Sequence, residues 1–126
     1  MDYSGIYAII FPHGIFTDLM ASIISDGSTI IGENLTLTCH AIRTENVTGD
    51  VNLQWIGPDS EQVVTTELVA IGVPTTSGAT TSRLLQFTNL HTSNGGQYTC
   101  LCELISDGKT LSVSVAFDVI VQGMYW

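Results

Sequence analysis

From Ala21 onward the chain alternates apolar and polar residues with a period close to two, and turn signals break the pattern at short intervals. A period of two places successive side chains on opposite faces, as in a strand with one dry face. In NLTLTCHA, Leu35, Leu37, Cys39 and Ala41 share one face, while Asn34, Thr36, Thr38 and His40 share the other. In VNLQW, Leu53 and Trp55 point one way; in LLQFTNL, Leu85 and Phe87 do, and Leu90 closes the end. In QYTCLCEL the dry face holds Tyr98, Cys100, Cys102 and Leu104. In LSVSVAFDVIV it holds Leu111, Val113, Val115, Phe117, Val119 and Val121. Turn signals stand at Asp26-Gly27, Gly49-Asp50, Gly57-Pro58-Asp59, Ser77-Gly78, Asn94-Gly95-Gly96 and Asp107-Gly108. Many short strands, each with one dry face, fit two antiparallel sheets packed face to face. The stretch from Gly57 to Ser82 is expected to add one or two edge strands and a turn. Asp107-Gly108 reads as a tight hairpin joining the last two strands.

At 126 residues the chain is sized for one domain with a core of its own. It is 44% hydrophobic and only 12% charged, and carries a net charge of −9. Three basic residues cannot build the positive stripe that phosphate neutralisation requires, so nucleic acid is excluded as a partner class. Anionic membrane surfaces fall to the same argument. No run of 18 apolar residues is present, so any membrane attachment would come through regions outside this chain. The carboxylates are scattered and form no EF-hand loop. His13, His40 and His91 lack any nucleophile-elbow or triad context, which points away from an enzyme, and no cofactor motif appears.

Cys39, Trp55 and Cys100 follow one another on inward-facing strands, and Tyr98 stands two residues before Cys100. With LTLTC, LQW, LQFTNL and NGGQYTC in that order, the chain resembles the immunoglobulin superfamily over about Ser22 to Gln122, as an I-set or V-like domain. The resemblance implies an all-β, immunoglobulin-like two-sheet antiparallel Greek-key sandwich. It implies a Cys39–Cys100 bridge, with Trp55 and Tyr98 as core signature residues. A loop of this length closed by a disulfide is worth roughly 4 kcal/mol in the chain-entropy model. Asn94 stands where the family's turn carries Asp, which puts any salt bridge from that position in doubt. The last strand lacks the Phe-Gly-x-Gly bulge of antigen-receptor joining segments, which counts against an antibody or T-cell-receptor domain.

Cys102 is the odd thiol. Three roles stay open for it: a buried small hydrophobe, an intermolecular link, or the partner of Cys39 in place of Cys100. A metal site built from Cys39, His40, Cys100 and Cys102 is disfavoured, because parity sends His40 to the opposite face from Cys39. Asn34-Leu35-Thr36 and Asn46-Val47-Thr48 are N-glycosylation sequons, one at a strand start and one in a loop.

The expected organisation is an N-terminal segment 1–21, a domain 22–122 and a tail 123–126. Within the first segment Ile6 to Phe11 is apolar but follows no Lys or Arg, so it reads as weakly signal-like or as the remnant of a preceding region. Tyr125 and Trp126 read as the start of further chain. The expected function is a non-catalytic extracellular binding module, part of or related to a cell-surface receptor or adhesion protein. Its partners would be a protein ligand or neighbouring immunoglobulin domains, met through the loops Arg43 to Asp50 and Ile105 to Lys109. The rival reading is a structural spacer in a tandem array, without a ligand of its own.

Overall fold

A computed structural model describes residues 4–5, 18–44 and 47–123. Among the described residues, nine strands form two antiparallel sheets. In chain order they are β1 (Ser4–Gly5), β2 (Leu19–Gly27), β3 (Leu35–Arg43), β4 (Asp50–Ile56), β5 (Val69–Ile71), β6 (Thr75–Ser77), β7 (Thr80–Phe87), β8 (Gly96–Ser106) and β9 (Lys109–Val119). One sheet runs β1-β2-β3-β7-β5, with β6 also pairing β7; the other runs β4-β8-β9. The alternation read from the sequence is the burial pattern observed. Leu35, Leu37, Cys39 and Ala41 are buried on β3, and Tyr98, Cys100, Cys102 and Leu104 on β8. Their neighbours on the same strands face outward, so the core is the layer between the two sheets.

The expected boundary at residue 22 falls inside β2. Leu19 and Ala21 continue the inward parity, and both are buried against β3, opposite Arg43 and Ala41. The stretch from Gly57 to Ser82 supplies two edge strands, β5 and β6, and both pair with β7. β7 itself starts at Thr80, earlier than its apolar residues, because β3 pairs with it from Ile42↔Thr80 onward. Partner strands extend it where side-chain pattern does not.

Trp55 lies beside Cys100 across the β4–β8 ladder and is 1% exposed. The Tyr98 hydroxyl donates to the Asn94 carbonyl at 2.6 Å, and its ring meets Phe87 edge-on with centroids 5.2 Å apart. Burial, and then the charge of Asp59, push the Tyr98 pKa up. Asn94 makes a neutral contact in place of an ion pair: its side-chain oxygen accepts from the His91 N–H at 2.7 Å.

Arg83 is the one cation at inward parity in the interior of a strand, since Arg43 and Lys109 share that parity but stand at strand ends. It sits on β7 between Thr81 and Leu85, and its guanidinium reaches the rim of the sandwich. There Nη1 donates to the Leu53 carbonyl at 2.9 Å and Nε to the Gly72 carbonyl at 2.8 Å. The side chain therefore ties the β7 sheet to the outer edge of β4, with both acceptors satisfied by a charged donor.

Candidate binding end of the sandwich

β3 ends, β4 begins, and the β8–β9 hairpin turns at the same end of the molecule. The two loops expected to carry contacts are thus brought together by strand direction alone. The hairpin is a two-residue turn with Asp107 and Gly108 at φ 51° and 75°. Positive φ at both central residues is the primed geometry whose twist matches the flanking strands. In the β3–β4 loop, Arg43 Nη1 donates to the Val47 carbonyl at 2.6 Å, and the Thr44 N–H donates to the Asp18 backbone carbonyl at 2.9 Å. Gly49 then passes close to the hairpin strand. At its φ of 143°, a Cβ would lie 2.5 Å from the Ile105 carbonyl, so only glycine fits there.

A cleft of about 660 Å³ opens between these segments. Val47, Leu104 and Leu111 form its apolar part; Asp18, Asp107 and Lys109 form its rim. Of the chain's three cations, Arg43 and Lys109 stand at this end, and Arg83 is held between the sheets. The opposite end carries Asp26, Glu33, Asp59, Glu61, Glu67 and Asp118 with no Lys or Arg. The loop end is therefore where a chain of net charge −9 offers mixed charge beside apolar surface.

The three sulfurs lie at the centre of the core. Cys39 and Cys100 are bonded to each other, and all three Sγ atoms lie within 4.8 Å of one another. Cys102 Sγ stands 3.9 Å from Cys39 Sγ and 3.8 Å from Cys100 Sγ. Near-equal distances put it broadside to the S–S bond, whereas thiolate displacement of a sulfur runs along the bond axis. Burial pushes the Cys102 thiol up to about 12, so the thiolate that would attack is scarce at neutral pH. Two of the three sulfurs have no thiolate to give a metal while bonded to each other. His40 is on the outer face, its Nδ1 2.7 Å from Ser82 Oγ. That Ser–His contact is a cross-strand pair on the outer face of the β3–β7 ladder.

Asn34 is exposed at the approach to β3, and its side-chain oxygen accepts from the Asn89 N–H at 3.0 Å. Asn46, like His13, Tyr125 and Trp126, lies outside the described residues. Val47 lies in the expected contact loop Arg43 to Asp50, but the sequence reading missed Asp18 as a cleft residue, since nothing local places it near the hairpin. It also missed Arg83, although a charged residue at inward parity between Thr81 and Leu85 was a visible signal.

The immunoglobulin domain family matches residues 25–113. No curated protein matches the chain. Among solved structures, a chain from the complex of Dpr2 Ig1-Ig2 with DIP-Theta Ig1-Ig3 superposes with a TM-score of 0.52 at 11% identity, over 77% of this chain and 40% of that one. Chicken CD1-1 superposes with a TM-score of 0.46 at 16% identity, over 76% and 33%. The fourth constant immunoglobulin domain of nurse shark IgNAR gives 0.35 at 15%, over 92% and 95%. This chain spans less than half the length of the Dpr2–DIP-Theta chain it matches.

Proposed function

This chain belongs to the immunoglobulin domain family, and from that premise we propose that it is a non-catalytic extracellular binding module, part of or related to a cell-surface receptor or adhesion protein. The carrying observation is the convergence of the β3–β4 loop and the β8–β9 hairpin on one cleft of mixed charge and apolar surface. A rigid disulfide-pinned sandwich behind those loops reduces the ordering cost of binding. The partner class is a folded protein, consistent with the structural relative's crystallisation in a complex between two immunoglobulin proteins. Secretion would make the disulfide durable, and Asn34 and Asn46 are its glycan sites in that setting. The sandwich from β2 to Gln122 is the binding unit, with 123–126 as a tail.

The test is a multivalent display of the secreted domain against an array of cell-surface ectodomains. A hit should be weakened tenfold or more by Lys109→Glu and by Asp18→Lys, both at exposed cleft positions, with thermal stability kept. Binding that survives both changes would move the contact elsewhere. Absence of any protein partner would favour a spacer domain in a tandem array.

A further inference from the structure

We propose that the three core sulfurs hold one monovalent copper ion in the chain whose Cys39–Cys100 bridge has not yet formed or has been reduced. Strand parity builds the site. Cys100 and Cys102 stand two residues apart on β8, so both point into the core, and Cys39 on β3 meets them from the facing sheet. All three residues are fully buried, and their Sγ atoms lie within 4.8 Å of one another. Cys102 Sγ is 3.9 Å from Cys39 Sγ and 3.8 Å from Cys100 Sγ, so the third sulfur is already placed evenly against the other two.

Spacing and donor type choose the ion. With the bridge open, Cys39 and Cys100 need only part to the spacing each already keeps from Cys102, and the sulfurs form a triangle. The centre of a triangle with sides of about 3.8 Å is about 2.2 Å from each corner, close to a metal–thiolate distance of about 2.3 Å. Thiolate donors select soft ions, copper(I) and zinc among them. Zinc in a structural site takes four ligands. Among the described residues this group offers three sulfurs and no fourth donor, and the neighbouring His40 ring is on the outer face against Ser82. Three thiolates suffice for copper(I). They leave two negative charges in an apolar core, which need a counter-charge. Arg83 stands at the same level: it faces Cys39 across the β3–β7 ladder, and its Nη1 donates to the carbonyl of Leu53, the residue facing Cys102 across β4–β8.

Loading transfers no electron: three thiols give up three protons and become thiolates on the ion. Forming the bridge instead removes two electrons and two protons from Cys39 and Cys100 and leaves Cys102 as the one remaining thiol. Bridge and ion therefore exclude each other. From the bridged chain, a phosphine reductant reopens the site, taking an oxygen atom from water to become its oxide while the two sulfurs become thiols. The same core thus has two closed states, a disulfide with a spare thiol or three thiolates on one soft cation.

The probe is copper(I) alone, titrated without oxygen into the whole chain after phosphine reduction and removal of the phosphine. The reduced chain should take one equivalent in competition with a chromophoric copper(I) chelator. X-ray absorption should show three sulfurs at about 2.2 Å, and circular dichroism of the loaded chain should show strand structure. Cys102→Ala keeps both bridge cysteines, and its bridged form reports whether the variant folds. Reduced, it should bind copper(I) at least tenfold more weakly, with two sulfurs on the ion. The bridged wild-type chain should not compete with the chelator. Equal affinity of the reduced wild type and reduced Cys102→Ala would overturn the inference. So would two sulfurs in the wild-type spectrum, a reduced chain that takes no ion from the chelator, or a loaded chain that is unfolded.

Discussion

Burial holds the Cys102 thiol at about 12, and an unfolded chain would ionise it near 8.5. The sign follows directly: below pH 8 both states keep the proton and stability is unaffected. As pH rises from about 9 toward 12, the unfolded state gives up its proton while the folded state cannot, and stability falls. Urea unfolding at pH 10 should therefore show about 1.5–2 kcal/mol lost to this thiol. Cys102→Val should remove that loss, leaving a flatter pH profile; equal slopes in the two proteins would show that Cys102 does not titrate this way. Arg83 gives a second residue-level test. Arg83→Met strands the Leu53 and Gly72 carbonyls at the rim, and should destabilise by roughly 2–3 kcal/mol. Arg83→Lys should recover only part of it, since an ammonium lacks the planar fork that reaches both acceptors.

Element by element, the strands with clear alternation were legible: β3, β4 and β8 bury the residues their parity assigns, and β9 buries Val113, Val115, Phe117 and Val119, while Leu111 is half-buried and Val121, also half-buried, lies past the strand's end. The start of β7 was not, because Thr80 to Arg83 carries little apolar signal and is held by β3 and β6. The start of β2 was missed for a similar reason: Leu19 is one apolar residue, and its burial depends on the facing sheet. The turn between β8 and β9 was readable because Asp-Gly tolerates positive φ at both places. Gly108→Val should cost at least 1 kcal/mol, since a β-branched residue at φ 75° is strained, and the loss should appear as a lower midpoint in urea with an unchanged slope. Gly49→Ala should cost more, because its Cβ meets the Ile105 backbone as well as an unfavourable φ. If Gly49→Ala left both stability and partner binding untouched, the close packing of loop on hairpin would be wrong.

At the scale of the molecule, the sandwich separates its charge: six carboxylates crowd one end, and both surface cations stand at the other. That separation depends on strand direction, so composition alone shows only the total of −9. A partner met at the loop end should associate with a rate that changes little with salt, since Asp18, Asp50 and Asp107 stand against Lys109 and Arg43 there and nearly balance them. A steep fall in association rate between low and physiological salt would instead place the contact at the acidic end. The sequence by itself determined the sandwich and which residues line its core. Parity and turn chemistry are local properties, read within a few residues, and four ordered motifs tied them to one family. Only the tertiary structure decided how far β2 and β7 extend, that Arg83 reaches across to the β4 edge, and that Asp18 and Val47 join the hairpin at one cleft. Each of those depends on contacts between segments distant in sequence, set by how the two sheets stack, and no local pattern encodes that distance.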